Sequence, residues 1–305
     1  MRASSLSLSL LFTYAAATNI VISNDDGWAT AQIRQQFDAL TSAGHNVVLS
    51  SPALNQSGKS SLSTTPTALT EPCEFDTCPT GSPAMGFNSS NTRLNYVNGY
   101  PVDAARYGIQ TLAPKFFNGG QPDFVVSGPN VGSNLGLVAL LSGTVGAACE
   151  AARTGIPAGA FSGVSGSEVS YTTLSSDPDA TSSVAARIYS DLTTTFVRTL
   201  ASAASANSGP YLPPGVIVNV NYASVDNCAS AASYQWVFSR LVWNIFETDV
   251  ETCGSNHLPY ESSVVGKGCY ASVSVIDAQS KLDVNATLQA QVKDRLQGLP
   301  LVCLP

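Results

Sequence analysis

Asn19–Trp28 reads NIVISNDDGW. Ile20, Val21 and Ile22 form an apolar run of the kind that makes a buried strand. The run stops at Asn24-Asp25-Asp26-Gly27, and an amphipathic helix pattern follows from about Thr30. Two adjacent carboxylates are therefore predicted at the C-terminal end of a first strand, where ligands bind in open α/β sheets. Two neighbouring anions repel each other and resist burial unless something positive compensates them. A divalent cation would do so. A solvated turn is the alternative, because Asp, Asn and Gly are all turn formers. The other strand ends must decide.

Outward from this stretch, helix and strand patterns alternate. Ile33, Phe37 and Leu40 have helical spacing within 31–43, and Gly44 follows as a C-cap residue. Asn46–Ser50 reads as a second strand, and a right-handed crossover makes the two parallel. Residues 66–92 read as irregular. A short strand, Asn95–Val97, precedes a helix predicted from about Val102 to Leu112 with Pro101 at its start. Phe124–Val126 is a further strand that stops at Ser127-Gly128-Pro129-Asn130. Ser142-Gly143-Thr144 opens a helix rich in small residues, Val145–Thr154, and Ala158–Phe161 is the next strand. The pattern predicts an α/β fold with a Rossmann-like, doubly wound, mostly parallel sheet over 18–165. A C-terminal extension over 166–305 follows, within one domain spanning 18–305. It holds a long helix (Ser182–Ala204), strands at Gly215–Val220 and Tyr270–Ile276, and a last helix over Leu282–Leu296. Tyr234–Phe238 alternates aromatic and polar residues.

Composition bounds the function. The 305 residues are 44% hydrophobic and only 11% charged, with a net charge of −7. No basic face exists for a nucleic-acid duplex. The start, MRASSLSLSLLFTYAAATNI, has Arg2, an apolar core from Leu6 to Phe12 and a small-residue site at Ala15–Ala17. It reads as a signal peptide over 1–17, too short to span a bilayer. A secreted protein without a membrane span is expected. Seven cysteines fit an oxidising compartment. Cys73 and Cys78 can close on each other, and Cys228, Cys253, Cys269 and Cys303 can make two more bridges of unspecified pairing. Cys149 reads as the odd, buried thiol. Asn55, Asn88 and Asn285 begin N-x-S/T sequons, of which Asn55 lies in a loop assigned to the site and is not expected to carry glycan.

Three polar loops fall at strand ends: Asp25-Asp26, Asn55–Ser60 and Ser127–Asn134. On one edge of a parallel sheet they can converge, and their ligands are all hard oxygens. Such a set suits Mg²⁺, Mn²⁺ or Ca²⁺ rather than zinc or copper. The helix start at Ser142-Gly143-Thr144 is an anion site beside it. A hard cation next to an anion site is what phosphate-ester hydrolysis requires. Competing chemistries lack their parts. His45 and His257 are the only histidines, no G-x-S-x-G or P-loop occurs, and no G-x-G-x-x-G follows the first strand.

Four segments carry a resemblance. NIVISNDDGW, SPALNQSGKS (51–60), PDFVVSGPNVGSNLG (122–136) and SGTVGAACEAARTGIP (142–157) resemble, in order and spacing, the SurE-type survival-protein phosphatase/nucleotidase family. The resemblance implies a metal-dependent phosphomonoesterase for small phosphate esters, often nucleoside monophosphates. It implies Asp25, Asp26, Ser57 and Asn130 as ligands of a divalent metal, Mg or Mn. It places Asn24, Ser142, Gly143 and Thr144 near the phosphate, with Asp25, Asp26, Asn130 and Thr144 as the catalytic set. It also implies a homodimer built on a C-terminal hairpin, although residues 221–270 diverge. Leader, cysteines and sequons look like a fungal-type secreted acid phosphatase branch. Two departures stand out: Pro129 precedes Asn130, and Leu137-Val138-Ala139 replaces the usual acidic residues after Gly136. The other reading is a catalytically inactive secreted nucleotide- or metal-binding protein of the same fold.

Overall fold

A computed structural model of the chain describes residues 17–305 apart from 208, 243 and 245. The expected signal peptide, but for Ala17, lies outside the described residues. β1 (Asn19–Ser23) is central. It pairs in parallel with β2 (Asn46–Pro52) on one side and β5 (Phe124–Val131) on the other, with Ile20 opposite Val47 and Phe124. β3 (Met85–Asn88) and β4 (Asn91–Val97) extend the sheet beyond β2. β6 (Ala158–Gly163), β7 (Val216–Tyr222), β8 (Gln235–Ser239) and β9 (Tyr270–Asp277) extend it beyond β5. The order is β3-β4-β2-β1-β5-β6-β7-β9-β8. The run from β4 to β7 is parallel; β3 and β9 pair antiparallel to their neighbours β4 and β7, and β8 is parallel to β9.

Helices cover both faces, so the inner strands are buried on both sides and read as continuous apolar runs. α1 (Ala31–Ser42) joins β1 to β2. α2 (Pro101–Tyr107) continues through a π turn, Gly108–Leu112, into α3 (Ala113–Phe116). α4 (Gly143–Arg153) joins β5 to β6. α5 (Thr173–Ser176) and the long α6 (Thr181–Asn207) precede β7, and α7 (Glu261–Val265) and α8 (Ala286–Arg295) flank β9. Alternation along β1 distributes its side chains. Ile20 and Ile22 pack with Ile33, Phe37, Leu40 and Phe196 of α1 and α6. Val21 points the other way, to Ile109, Val145 and Ala148. Strand order reverses where β1 meets β5, a topological switch point of the kind that hosts ligands.

Two expectations are corrected. Residues 66–92 hold β3, which forms a hairpin with β4, with Phe87 opposite Asn95. β5 does not stop at Ser127 but runs on to Val131, with a register shift between Ser127 and Asn130 and a cis Gly128–Pro129 peptide. Pairing with β6, Asn130 opposite Ser162 and Val131 opposite Gly163, keeps this segment in the sheet despite its Gly and Pro. Disulfides join Cys73–Cys78, Cys228–Cys269 and Cys253–Cys303, and Cys149 is free and buried. Among the described residues no helix is long and apolar enough to cross a membrane.

Candidate active site

The aspartate pair follows β1 directly, and both side chains are buried. Asn24 makes the turn. Its Nδ2 donates to the Gly27 carbonyl at 3.0 Å and its Oδ1 accepts from the Gly27 N–H at 3.3 Å. The side chain expected near a phosphate is thus fully buried and spent on shaping the turn. Gly27 has φ +115°, which L side chains rarely adopt, and a Cβ there would collide with the Glu74 carboxylate.

Asp25 faces the start of α4. The Thr144 hydroxyl oxygen lies 2.6 Å from Asp25 Oδ1 and 3.1 Å from Asn130 Oδ1. A hydroxyl has one proton, which goes to the nearer, stronger acceptor. The approach of Thr144 to the Asn130 oxygen is then left without a proton. Nothing in the Asn130 amide supplies one, because its Nδ2 donates to the carbonyls of Val131 (3.0 Å) and Gly132 (2.6 Å). Those two bonds fix the amide with its oxygen toward Thr144. Asp26 Oδ2 accepts from the Val131 N–H at 2.9 Å, while its buried Oδ1 has no partner. β1, β5 and α4 thus deliver four inward oxygens with too few protons among them.

Electrostatics agree with that count. Burial raises the Asp25 pKa, partly opposed by the Thr144 hydroxyl and by backbone N–H groups at the start of α4. Asp26 is pushed well above the usual carboxylate range, by burial first and then by the charges of Asp25, Glu168 and Glu74. A cation would relieve both. Among the described residues no three His, Cys, Asp or Glu side chains group as a metal site. A cation here would rest on two carboxylates and neutral oxygens, a donor set suited to a hard ion. The residues fit such a group.

The other predicted residues are placed as follows. Gly143 packs so closely on Asp25 that a Cβ would lie 2.8 Å from the Asp25 Cβ and 2.9 Å from Pro101 Cγ. Ser142 caps α4, its Oγ accepting from the Val145 N–H at 3.1 Å, so its side chain is used by the helix. Ser57 is exposed. Its loop is tied to the site through the Gln56 N–H, which donates to the Asp25 carbonyl at 2.7 Å, and its own N–H is held by Asn55 Oδ1. Among the described residues no hydrogen bond joins the Ser57 hydroxyl to the aspartates. After Gly136, Leu137 and Val138 are exposed and Ala139 is buried.

Three nearby groups escaped the sequence reading. Glu74, inside the Cys73–Cys78 ring, is pushed up to about 8 by burial and by Glu168. Glu261 of α7 accepts from the Gly136 N–H (3.1 Å) and from Asn219 Nδ2 (2.7 Å), and burial pushes it up to about 8. It braces the loop after β5 from behind. Lys281 reaches the loop of Ser57 from the C-terminal part. Within the Cys73–Cys78 ring nothing local sets Glu74 apart from Asp76, and Glu261 and Lys281 had no signal either.

A family model described as Survival protein SurE matches residues 20–245. An acid phosphatase of Yarrowia lipolytica is 33% identical over 311 aligned residues, covering 92% of this chain and 85% of that protein. A 5'-nucleotidase SurE of Polaromonas naphthalenivorans is 38% identical over 143 residues, 47% of this chain and 46% of its own length. The SurE protein of Aquifex aeolicus, a crystal structure, superposes with a TM-score of 0.59 at 22% identity over 85% of this chain and 93% of that one. That last likeness concerns the fold.

Proposed function

The chain belongs to the Survival protein SurE family, and from that membership we propose that it is a secreted, divalent-metal-dependent phosphomonoesterase. Its relatives' names, acid phosphatase and 5'-nucleotidase, support simple phosphate esters and nucleoside monophosphates as the substrate range. Three disulfides and the predicted leader support export. The observation that carries the reading is the proton-poor oxygen cluster of Asp25, Asp26, Asn130 and Thr144 at the switch point.

Asp25, Asp26 and Asn130 would hold the cation, with Ser57 completing the shell from its loop. Bound Mg²⁺ or Mn²⁺ supplies Lewis-acid polarisation of a phosphoryl oxygen and an ionised water. The chain supplies the rest. Thr144 pins Asp25, and the two carbonyls of Val131 and Gly132 keep the Asn130 oxygen turned inward. The N-terminal end of α4 would offer its positive dipole to the phosphoryl charge, and Gly143 lets that helix start pack directly against Asp25. Asp26 is fixed by the Val131 N–H.

The test is a panel of a generic aryl monoester, 5'- and 3'-nucleotides and a diester, assayed with Mg²⁺ or Mn²⁺ from acid to neutral pH. Phosphate release from monoesters but not from the diester is expected. Binding of nucleotide with no turnover anywhere in the panel would replace this reading with a non-catalytic binding protein.

A further inference from the structure

Lys281 follows β9 and is 6% exposed. Its Nζ donates to Ser60 Oγ at 2.7 Å and to the Leu140 carbonyl at 3.3 Å, the first contact spanning 221 residues of sequence. Ser60 Oγ donates in turn to the Leu140 carbonyl at 2.6 Å, and the Ser60 N–H donates to the Leu141 carbonyl at 3.1 Å. The Ser60 carbonyl lies against Gly146 of α4, where a Cβ would collide with it. Around Lys281 the turn is built with care. Its own N–H donates to the Asp277 carbonyl at 2.8 Å, and Asp277 Oδ1 accepts from the N–H groups of Gln279 and Ser280.

Among the described residues no carboxylate forms an ion pair with Lys281; burial lowers its pKa, and Cys149, which favours the charged amine, and Arg153, of like sign, are the groups that act on it. Burying an ammonium among neutral oxygens is unfavourable, and an apolar side chain of similar length would fill the space more stably. What the amine adds is convergence. It draws the loop 56–60 and the segment ending at Leu141 onto one point. The first loop carries Ser57 and is tied to Asp25 at Gln56; the second leads straight into Ser142 and Thr144.

We propose that Lys281 is a positioning residue for the metal site: it clamps the 56–60 loop onto the start of α4 and so holds the exposed Ser57 hydroxyl where the cation needs it. Through this clamp the C-terminal part of the chain sets the affinity of a site formed by the N-terminal part. The inference rests on the proposal that Ser57 belongs to the cation's shell.

Lys281→Met keeps the stem and removes the amine. The readout is Mn²⁺ affinity of the metal-free full-length protein by calorimetry, for Lys281→Met, Ser57→Ala and the double variant. Lys281→Met is expected to weaken Mn²⁺ binding about tenfold, as removal of an outer-shell partner does. The double variant is expected to bind no more weakly than Ser57→Ala, because both changes remove the same ligand. Lys281→Arg, which keeps donors, is expected to recover most of the affinity. A lower melting temperature with unchanged Mn²⁺ affinity would make Lys281 merely structural, and additive losses would show that it does not act through Ser57; either overturns the proposal. If Lys281→Met fails to fold, Ser60→Ala removes the same contact from the other side and enters the same cycle. Absence of Mn²⁺ binding in the wild type, or equal binding by Asp25→Asn, would instead overturn the metal site itself.

Discussion

Replacing Thr144 by Val removes one hydroxyl and little else. Thr144 is fully buried and its oxygen lies 2.6 Å from Asp25 Oδ1. A hydrogen bond to a charged partner contributes about 1.5–3 kcal/mol. At 1.4 kcal/mol per decade, that is on the order of 10- to 150-fold in kcat/KM if the bond persists in the transition state. The hydroxyl is also the largest influence holding the Asp25 pKa down against burial. Losing it raises that pKa further, so less Asp25 is ionised at a given acid pH and the acid limb of the rate profile moves to higher pH. Thr144→Ser keeps the hydroxyl and is expected to stay near the wild-type profile. The assay is phosphate release from an aryl monoester at fixed Mn²⁺ across the acid-to-neutral range, with melting temperature recorded in parallel. A Thr144→Val enzyme with unchanged kcat/KM and an unmoved acid limb would refute the role assigned to this hydroxyl.

Stability is expected to fall as pH rises from about 4.5 to about 8, by on the order of a few kcal/mol, because Glu261 and Glu74 keep their protons in the folded state after the unfolded chain has lost them. Melting temperature against pH reads this, and Glu261→Gln should flatten the slope. Gly143→Ala, which places a Cβ 2.8 Å from that of Asp25, should destabilise by about 1–3 kcal/mol and abolish most activity; a fully active, equally stable variant would contradict the close packing. Removing the short ring with Cys73→Ser and Cys78→Ser together should lower stability by about 2 kcal/mol in chemical denaturation, leaving the other two disulfides intact.

Much of this was readable from local chemistry. Ile20-Val21-Ile22 ending in Asn24-Asp25-Asp26-Gly27 gives a strand and a turn because periodicity and turn residues act within a few positions. α1 and α6 appear within three residues of their predicted bounds for the same reason. What escaped is set by distant partners. β3 exists because Met85–Asn88 finds β4, and Ser127–Asn130 is strand because β6 lies alongside, although its Gly and Pro read as loop. In the site, the oxygen ligand types were legible, but the use of each side chain was not. Asn24 and Ser142 turn inward to close a turn and cap a helix, a choice that depends on the surrounding backbone. Glu74 depends on where a six-residue ring settles, and Lys281 on a contact with Ser60, 221 residues away; neither has a local signature.

The central claim is that this oxygen cluster works through a bound divalent cation. Stripping the purified protein with chelator, removing the chelator and measuring phosphate release from an aryl monoester as Mg²⁺ or Mn²⁺ is returned tests it most directly. Activity is expected to vanish on stripping, to return with metal in the wild type and to stay absent in Asp25→Asn. Full activity in the stripped protein, or in Asp25→Asn, would contradict the account.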